Sequence, residues 1–215
     1  MNRKCQQSLL GAVIGLFCLL GPLSHTEAGE PLDKIRTTIN DVLVILSNKA
    51  LLAPERQEER RQKIRQTVLQ RFGFEEMARR ALGRHWREIN ATQQKEFVPL
   101  FSDLLERSYI NKIESYGSSS DLKILYTKET VDSDGYAMVR SEVVNEKDLN
   151  FEIEYRLLKR GGNWEAYDIV IEGVSLVNNY RTQFNKIISQ ESYTALVKKL
   201  KLKLEQEEAV QQSKG

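Results

Sequence analysis

The chain has 215 residues, of which 40% are hydrophobic and 29% charged, and its net charge is +2 at pH 7. This length and balance are typical of one globular domain with enough apolar residues for a core. The nearly neutral charge argues against a dedicated nucleic-acid-binding protein, which would present a strongly basic face.

Residues 1–28 have the layout of a secretory signal peptide. Basic residues precede an apolar segment at 9–20, and small residues stand where cleavage is expected, near Ala28. A membrane anchor is the alternative, although a membrane span needs about 20 apolar residues and this segment is shorter. We therefore expect export to the bacterial periplasm, with residues 29–208 as the functional domain and 209–215 as a disordered tail.

Cysteine and histidine are scarce in the expected mature chain. Cys5 and Cys18 lie in the segment that export would remove, and so does His25, which leaves His85 as the one histidine. Nucleophilic catalysis and most metal sites depend on these residue types. The sequence therefore favours a protein without catalytic residues, metal or cofactor. His85 is expected to be a surface or hydrogen-bonded structural residue.

Four helices are predicted in the first half, from apolar residues spaced three and four positions apart. The first ends before Pro54, because the residue preceding a proline avoids helical dihedral angles. Pro99 falls inside the fourth and is expected to kink it or to mark its true start. The four predicted helices are 31–52, 55–72, 74–82 and a long one from Thr92 to the Gly117–Ser120 loop.

From Asp121 onwards the apolar period changes to two, which indicates strands. Strands near 122–126, 136–144, 151–157 and 164–172, joined by short connections, predict an antiparallel meander. A helix capped by Ser175 follows, and then a last helix that ends near Glu208. This last helix either packs its leucines against the domain, with a solvated lysine face, or anchors on a lipid surface. The order predicts an α+β fold, with a curled four-stranded antiparallel sheet covered by helices.

Asp168 is a charge inside an otherwise apolar strand, where an unpaired carboxylate would be costly. It is either a structural partner of a cation, such as Arg181 or an arginine of the 79–87 segment, or a general acid or base in a cavity. That segment itself holds Arg79, Arg80, Arg84 and Arg87. These arginines either bind a phosphate group or acidic partner, or form a solvated face.

Two blocks of the sequence resemble one family, the MlaC or toluene-tolerance auxiliary family, over nearly the whole mature chain. The more specific block is similar to the family's C-terminal signature: Gly162-Asn163-Trp164, Tyr167-Asp168 and Glu172-Gly173-Val174-Ser175-Leu176. The second resembles its central helical motif: Ala81-Leu82-Gly83, Trp86, Thr92, Gln94, Phe97, Phe101, Leu104-Leu105 and Tyr109.

The resemblance implies a periplasmic lipid carrier, not an enzyme, with an NTF2-like cone-shaped fold and an apolar pocket for phospholipid acyl chains. The bound lipid would be cargo rather than cofactor, and one branch of the family suggests a hopanoid-type lipid instead. The implied partners are an outer-membrane lipoprotein complex and the lipid-binding subunit of an inner-membrane ABC transporter. The resemblance also implies that the protein is a monomer.

Apolar and aromatic residues predicted on the inner sides of the sheet and helices are the candidates for lining that pocket, whereas Trp164 is assigned to packing. The candidates are Phe101, Leu105, Tyr109, Val139, Phe151, Ile153, Tyr155, Val170, Leu176 and Tyr180. Two other functions stay open. One is an NTF2-like isomerase or dehydratase that uses Asp168, and the other is an interaction module without cargo.

Overall fold

The computed structural model describes residues 29–117, 122–145 and 150–212. The signal peptide predicted at 1–28 and the end of the expected tail, 213–215, lie outside these ranges. The described helices are α1 (Glu30–Ser47), α2 (Gln57–Leu69), α3 (Phe74–Leu82), α4 (Ala91–Gly117), α5 (Leu176–Gln190) and α6 (Tyr193–Gln212). The described strands are β1 (Lys123–Val131), β2 (Tyr136–Val144), β3 (Asn150–Arg160), β4 (Asn163–Ile171) and β5 (Val174–Ser175).

The long helix α4 begins at a reciprocal cap. Asn90 Oδ1 accepts a hydrogen bond from the Gln93 amide at 2.9 Å, and Gln93 Oε1 accepts one from the Asn90 amide at 3.0 Å. This pair satisfies amide groups that the first helical turn leaves free. Pro99 lies inside α4, which continues to Gly117, so the proline does not mark its start. The last helix, α6, runs to Gln212 rather than ending near Glu208.

The strands pair antiparallel in chain order, from β1 to β5, which confirms the α+β fold and the meander. Five strands lie in the described sheet, one more than expected, because Val174 and Ser175 fold back and pair with the end of β4. The turn between them places Glu172 at φ 50° and Gly173 at φ 76°. Glycine adopts such a positive φ without strain, which explains its place in this turn.

A β-bulge at Tyr167 changes the phase of β4. Before the bulge Leu157 of β3 faces Ala166, and after it Tyr155 faces Ile169. Directly opposed residues point to the same side of a sheet. Ile169 therefore shares the inner face with Tyr155, whereas Asp168 and Val170 point to the outer face. The even alternation expected for this strand is wrong at that position.

Most buried apolar side chains of the described residues fall into three clusters. The helical cluster joins α3, α4, α5 and α6, and includes Phe97, Phe101, Leu105, Tyr180 and Phe184. The sheet cluster joins α1 to the inner face of the sheet: Ile35, Ala137, Val139, Tyr155, Leu157, Trp164 and Ala166. The α1–α2–α4 cluster consists of Leu46, Ile64 and Ile110. The half-buried Phe72 packs against both the helical and the sheet cluster and connects the two.

Candidate functional site

The inner face of the sheet is closed at one end and accessible at the other. At the closed end Leu157 and Ala166 are 1% and 0% exposed, beneath α1. Towards the opposite end, Phe151, Ile153 and Ile171 are half-buried, although all three are apolar. Apolar side chains that stay partly exposed on the inner side of a sheet form a surface suited to an apolar ligand. We call this half of the face the open end.

Aromatic rings dominate the helical cluster. Phe101 packs edge-to-face on Tyr180 and on Phe184, with ring centroids 5.4 and 5.7 Å apart. The hydroxyl of Tyr180 donates a hydrogen bond to Ser108 Oγ at 3.3 Å. Burial raises the pKa of Tyr109, and the neighbouring Tyr180 adds to the rise. Tyr109 therefore presents a neutral side chain beside the apolar rings.

The structure distributes the ten candidate lining residues over three places. Two of the ten residues, Val170 and Leu176, are buried where β4 turns into α5. Val170 faces away from the inner side of the sheet because of the bulge. The inner face of the sheet holds Val139, Phe151, Ile153 and Tyr155. The helical cluster and its border hold Phe101, Leu105, Tyr109 and Tyr180.

A groove of about 440 Å³ lies elsewhere, between the start of α4 and α6. Its lining includes Glu96, Lys201 and Glu205, and Lys201 forms an ion pair with Glu96 at 2.7 Å. None of the ten candidate residues lines it. Its charged walls make this groove unsuitable for acyl chains.

Asp168 is a structural carboxylate. It is 5% exposed and accepts hydrogen bonds from Ser175 Oγ at 2.7 Å and the Val177 amide at 3.1 Å. Arg156 supplies the counter-charge at 3.3 Å. The expected ion pair is therefore confirmed, but its predicted partner, Arg181 or an arginine of 79–87, is wrong. The Asp168 side chain joins the sheet to the start of α5.

The arginines of the 79–87 segment do not act as one group. Arg79 and Arg80 both bind Glu76, a carboxylate that is 3% exposed, at 2.5 and 2.7 Å. The Arg80 guanidinium also lies 3.9 Å above the ring of Tyr167. Arg84 is exposed and donates a hydrogen bond to Ser189 Oγ at 3.3 Å. The first two arginines are thus structural partners of Glu76, and the Arg79 side chain, which is 48% exposed, also fits the predicted solvated face.

His85 and Trp164 have packing roles. His85 is 5% exposed, with Nδ1 at 2.7 Å from Glu88 Oε2 and Nε2 at 3.0 Å from Asn185 Oδ1. The hydrogen-bonded structural role is confirmed, and the surface position is wrong. Trp164 is 5% exposed within the sheet cluster, as predicted. The described residues contain no group of three or more histidine, cysteine or acidic side chains placed to hold a metal ion.

Helix α1 is a wall of the inner face that the sequence prediction missed. Ile35 is 2% exposed in the sheet cluster, and Ile39 packs against its border. Glu129 of β1 accepts hydrogen bonds from the amides of Gly29 and Leu32, both at 2.9 Å, which fixes the start of α1 on the sheet. The periodicity of α1 showed an apolar stripe but not the surface that this stripe covers.

Comparison with known proteins now identifies the family. A family model described as MlaC protein matches residues 36–202. The chain belongs to the MlaC family. A curated MlaC relative is the intermembrane phospholipid transport system binding protein of Haemophilus influenzae, which is 23% identical over 140 residues. That alignment covers 64% of this chain and 64% of the relative, so less than two thirds of the relative's length is matched.

A solved MlaC-like structure agrees over a longer span. It is the phospholipid-binding protein of Ralstonia solanacearum, determined in complex with a phospholipid. Its TM-score to this chain is 0.73 at 25% sequence identity, covering 83% of this chain and 99% of that one. The family resemblance drawn from the sequence is therefore confirmed.

The C-terminal block that resembles the family signature has a structural role in this MlaC chain. Asp168, Gly173 and Ser175 together build the turn that connects β4 to α5. Within the described ranges, no helix combines the length and apolarity needed to cross a membrane.

Proposed function

We propose that the protein is a periplasmic lipid carrier that holds the acyl chains of a phospholipid in an apolar pocket. The observation that carries this proposal is the similarity to a solved structure that contains a bound phospholipid. The similarity covers 83% of this chain and 99% of the solved chain. Membership of the MlaC family supports it.

We place the pocket between the three apolar clusters, away from Phe72. Half-buried apolar side chains border this region from each side: Val42 and Ile45 on α1, Tyr109 and Ile113 on α4, and Phe151, Ile153 and Ile171 on the sheet. Transfer of acyl chains from water to such a surface is favourable by about 25 cal/mol per Å². Of the ten candidate residues, those at the open end and at the border of the helical cluster are proposed to contact lipid.

The lipid would pass between an outer-membrane lipoprotein complex and the lipid-binding subunit of an inner-membrane ABC transporter. The H. influenzae relative is described as the binding protein of an intermembrane phospholipid transport system, which supports this assignment. A carrier needs affinity for lipid and release to a partner, and neither step requires catalytic groups. The buried carboxylate Asp168 is already engaged by three donors, which leaves the isomerase alternative without support.

Lipid extraction tests the proposal. The protein is purified from its native periplasm without detergent, and its mass is measured by native mass spectrometry before and after organic extraction. We expect one phospholipid per protein chain, or a small integral number, and an identified headgroup in the extract. Preparations that contain no lipid would refute the carrier function and would favour an interaction module.

A further inference from the structure

Three hydroxyl groups interrupt the apolar inner face of the sheet. Tyr126 of β1 stands opposite Ser141 of β2, and Tyr155 of β3 stands opposite Val139, one row further along β2. Because side chains alternate along a strand, all three hydroxyl residues point to the inner face. Apart from Glu129, whose carboxylate is bound to the start of α1, the same face otherwise carries apolar side chains such as Ile153.

One of these hydroxyls, that of Tyr126, is buried and has no hydrogen-bond partner among the described residues. Ser141 is fully buried as well, and its hydroxyl interacts with that of Tyr155. A buried polar group without a partner costs about 1–3 kcal/mol, and such groups are rare in folded proteins. The presence of such a group beside two further hydroxyls points to a polar group that binds there.

The hydroxyls are suited to donate hydrogen bonds. Burial raises the pKa of Tyr126 to about 12, although the Arg36 guanidinium opposes the rise. Burial also raises the pKa of Tyr155, and a hydrogen bond with the Ser141 side chain opposes the rise. Both phenols therefore keep their protons at physiological pH. A carbonyl oxygen, which accepts but cannot donate, is the complementary group.

The position of the hydroxyls along the strands matches the polar region of a lipid. Ile124, Val143 and Phe151 form the row at the open end of the face, and Tyr126 and Ser141 form the next row inwards. Two residues of a strand span about 7 Å. In a glycerophospholipid the ester carbonyls lie a few bonds below the phosphate. An ester seated on the hydroxyls would leave the phosphate at the solvent edge of this outermost row, with the acyl chains on the apolar side chains of the face.

We propose that Tyr126, Ser141 and Tyr155 form a subsite for the ester carbonyl oxygens of a glycerophospholipid. This inference rests on the proposed carrier function and adds to it a class of cargo, ester-linked lipid. The subsite selects diacyl lipids over lipids with the same headgroup and chain length that lack the carbonyls.

A competition between two lipids tests the subsite. The purified full chain is incubated with vesicles of equal parts diacyl and dialkyl-ether phosphatidylethanolamine of identical chain length, recovered, and analysed for both lipids by mass spectrometry. We expect the wild-type protein to take up the diacyl lipid in about three- to tenfold excess, as hydrogen bonds of ordinary strength would give. Tyr126→Phe and Ser141→Ala should reduce that ratio towards one without lowering uptake of the ether lipid.

A matched control and a stability measurement complete the test. Thr130→Val removes an exposed hydroxyl from the same strand and should keep the wild-type ratio. Because the buried hydroxyl of Tyr126 lacks a partner, Tyr126→Phe should leave the thermal stability of the lipid-free protein unchanged or raise it. Equal uptake of both lipids by the wild type, or variants that retain the preference, would overturn the subsite. Uptake of neither lipid would overturn the carrier function as well.

Discussion

At the scale of single residues, Asp168 links β4 to the start of α5. Ser175 donates to Asp168 and accepts from the Asn178 amide at 3.0 Å, so one carboxylate orients the cap of the helix. We expect Asp168→Asn to lower the free energy of unfolding by about 2–3 kcal/mol, because it leaves Arg156 and Ser175 with a poor acceptor.

Urea denaturation checks this prediction, with Asp134→Asn as the control. Asp134 is an exposed turn residue, and its substitution should change the free energy of unfolding by less than about 0.5 kcal/mol. A variant at Asp168 that unfolds like the wild type but loses a chemical activity would instead support the acid–base role.

Glu76 makes the fold sensitive to acid. Burial alone would raise the pKa of this carboxyl, but hydrogen bonds from Arg79 and Arg80 outweigh it and hold the pKa below its ordinary value. A carboxyl whose pKa is lowered by folding stabilises the protein above its unfolded pKa, near 4.5, and this stabilisation is lost as the pH falls through the folded pKa.

We therefore expect Glu76→Gln to lower the free energy of unfolding by about 1.5–3 kcal/mol at pH 7 and by much less near pH 3. Chemical denaturation of both proteins across this pH range measures the difference. Glu75→Gln is the control, because the Glu75 side chain is 68% exposed and should matter little at either pH. A pH-independent effect of Glu76→Gln would contradict the assignment.

At the scale of elements, α2 is attached largely through charges. It contributes one buried apolar residue, Ile64, to the α1–α2–α4 cluster. Arg60 and Arg61 both reach Glu114 of α4, at 2.7 and 2.8 Å, and all three side chains are at most 13% exposed. Arg65 adds an ion pair with Asp103 at 2.5 Å. Breaking a buried ion pair from one side is strongly destabilising.

We expect Glu114→Gln to cost about 2–4 kcal/mol and to loosen α2 selectively. Hydrogen–deuterium exchange should accelerate over 57–69 and stay unchanged in the sheet. The control Glu59→Gln breaks an exposed pair with Arg56 and should be nearly silent. Faster exchange throughout the chain would show that α2 does not open on its own.

The elements themselves were largely predictable from the sequence. Apolar spacing placed α3 at 74–82, and a capping residue type placed the start of α5 at Ser175. Both signals are local in the sequence. The bulge at Tyr167 was not predictable in the same way, since it depends on how β3 pairs with β4. Strand β5 was missed because two residues are too few to show a period.

At the scale of the whole molecule, the apolar open end should govern lipid content. We expect Ile153→Glu to reduce the phospholipid bound per chain at least several-fold, because a carboxylate would face the acyl chains. Leu125→Glu is the matched control, since Leu125 points to the outer face of the sheet and is 50% exposed. Lipid extraction with mass spectrometry measures both, and far-ultraviolet circular dichroism verifies that each variant folds. Equal lipid loss in the two variants would place the pocket elsewhere.

The proposed lipid-binding face was only partly predictable. The face shared by Val139, Ile153 and Tyr155 follows from a period of two, and the structure brings them together. Val170 was expected on that face too, and a single extra residue in β4 moved it to the other. The covering helix α1 is separated from the sheet by most of the helical half, and periodicity carries no information about such distant contacts.

The attachment of α1 has a consequence for the order of folding. Successive strands pair with their chain neighbours, whereas Glu129 binds Gly29 across 100 residues of sequence. Pairing between neighbours in the chain loses less loop-closure entropy than a contact across 100 residues. We therefore expect the sheet to form before α1 docks. Ile35→Ala should then accelerate unfolding in stopped-flow experiments and leave the refolding rate nearly unchanged. Val139→Ala, inside the sheet, should slow refolding. If Ile35→Ala slows refolding equally, α1 belongs to the folding nucleus.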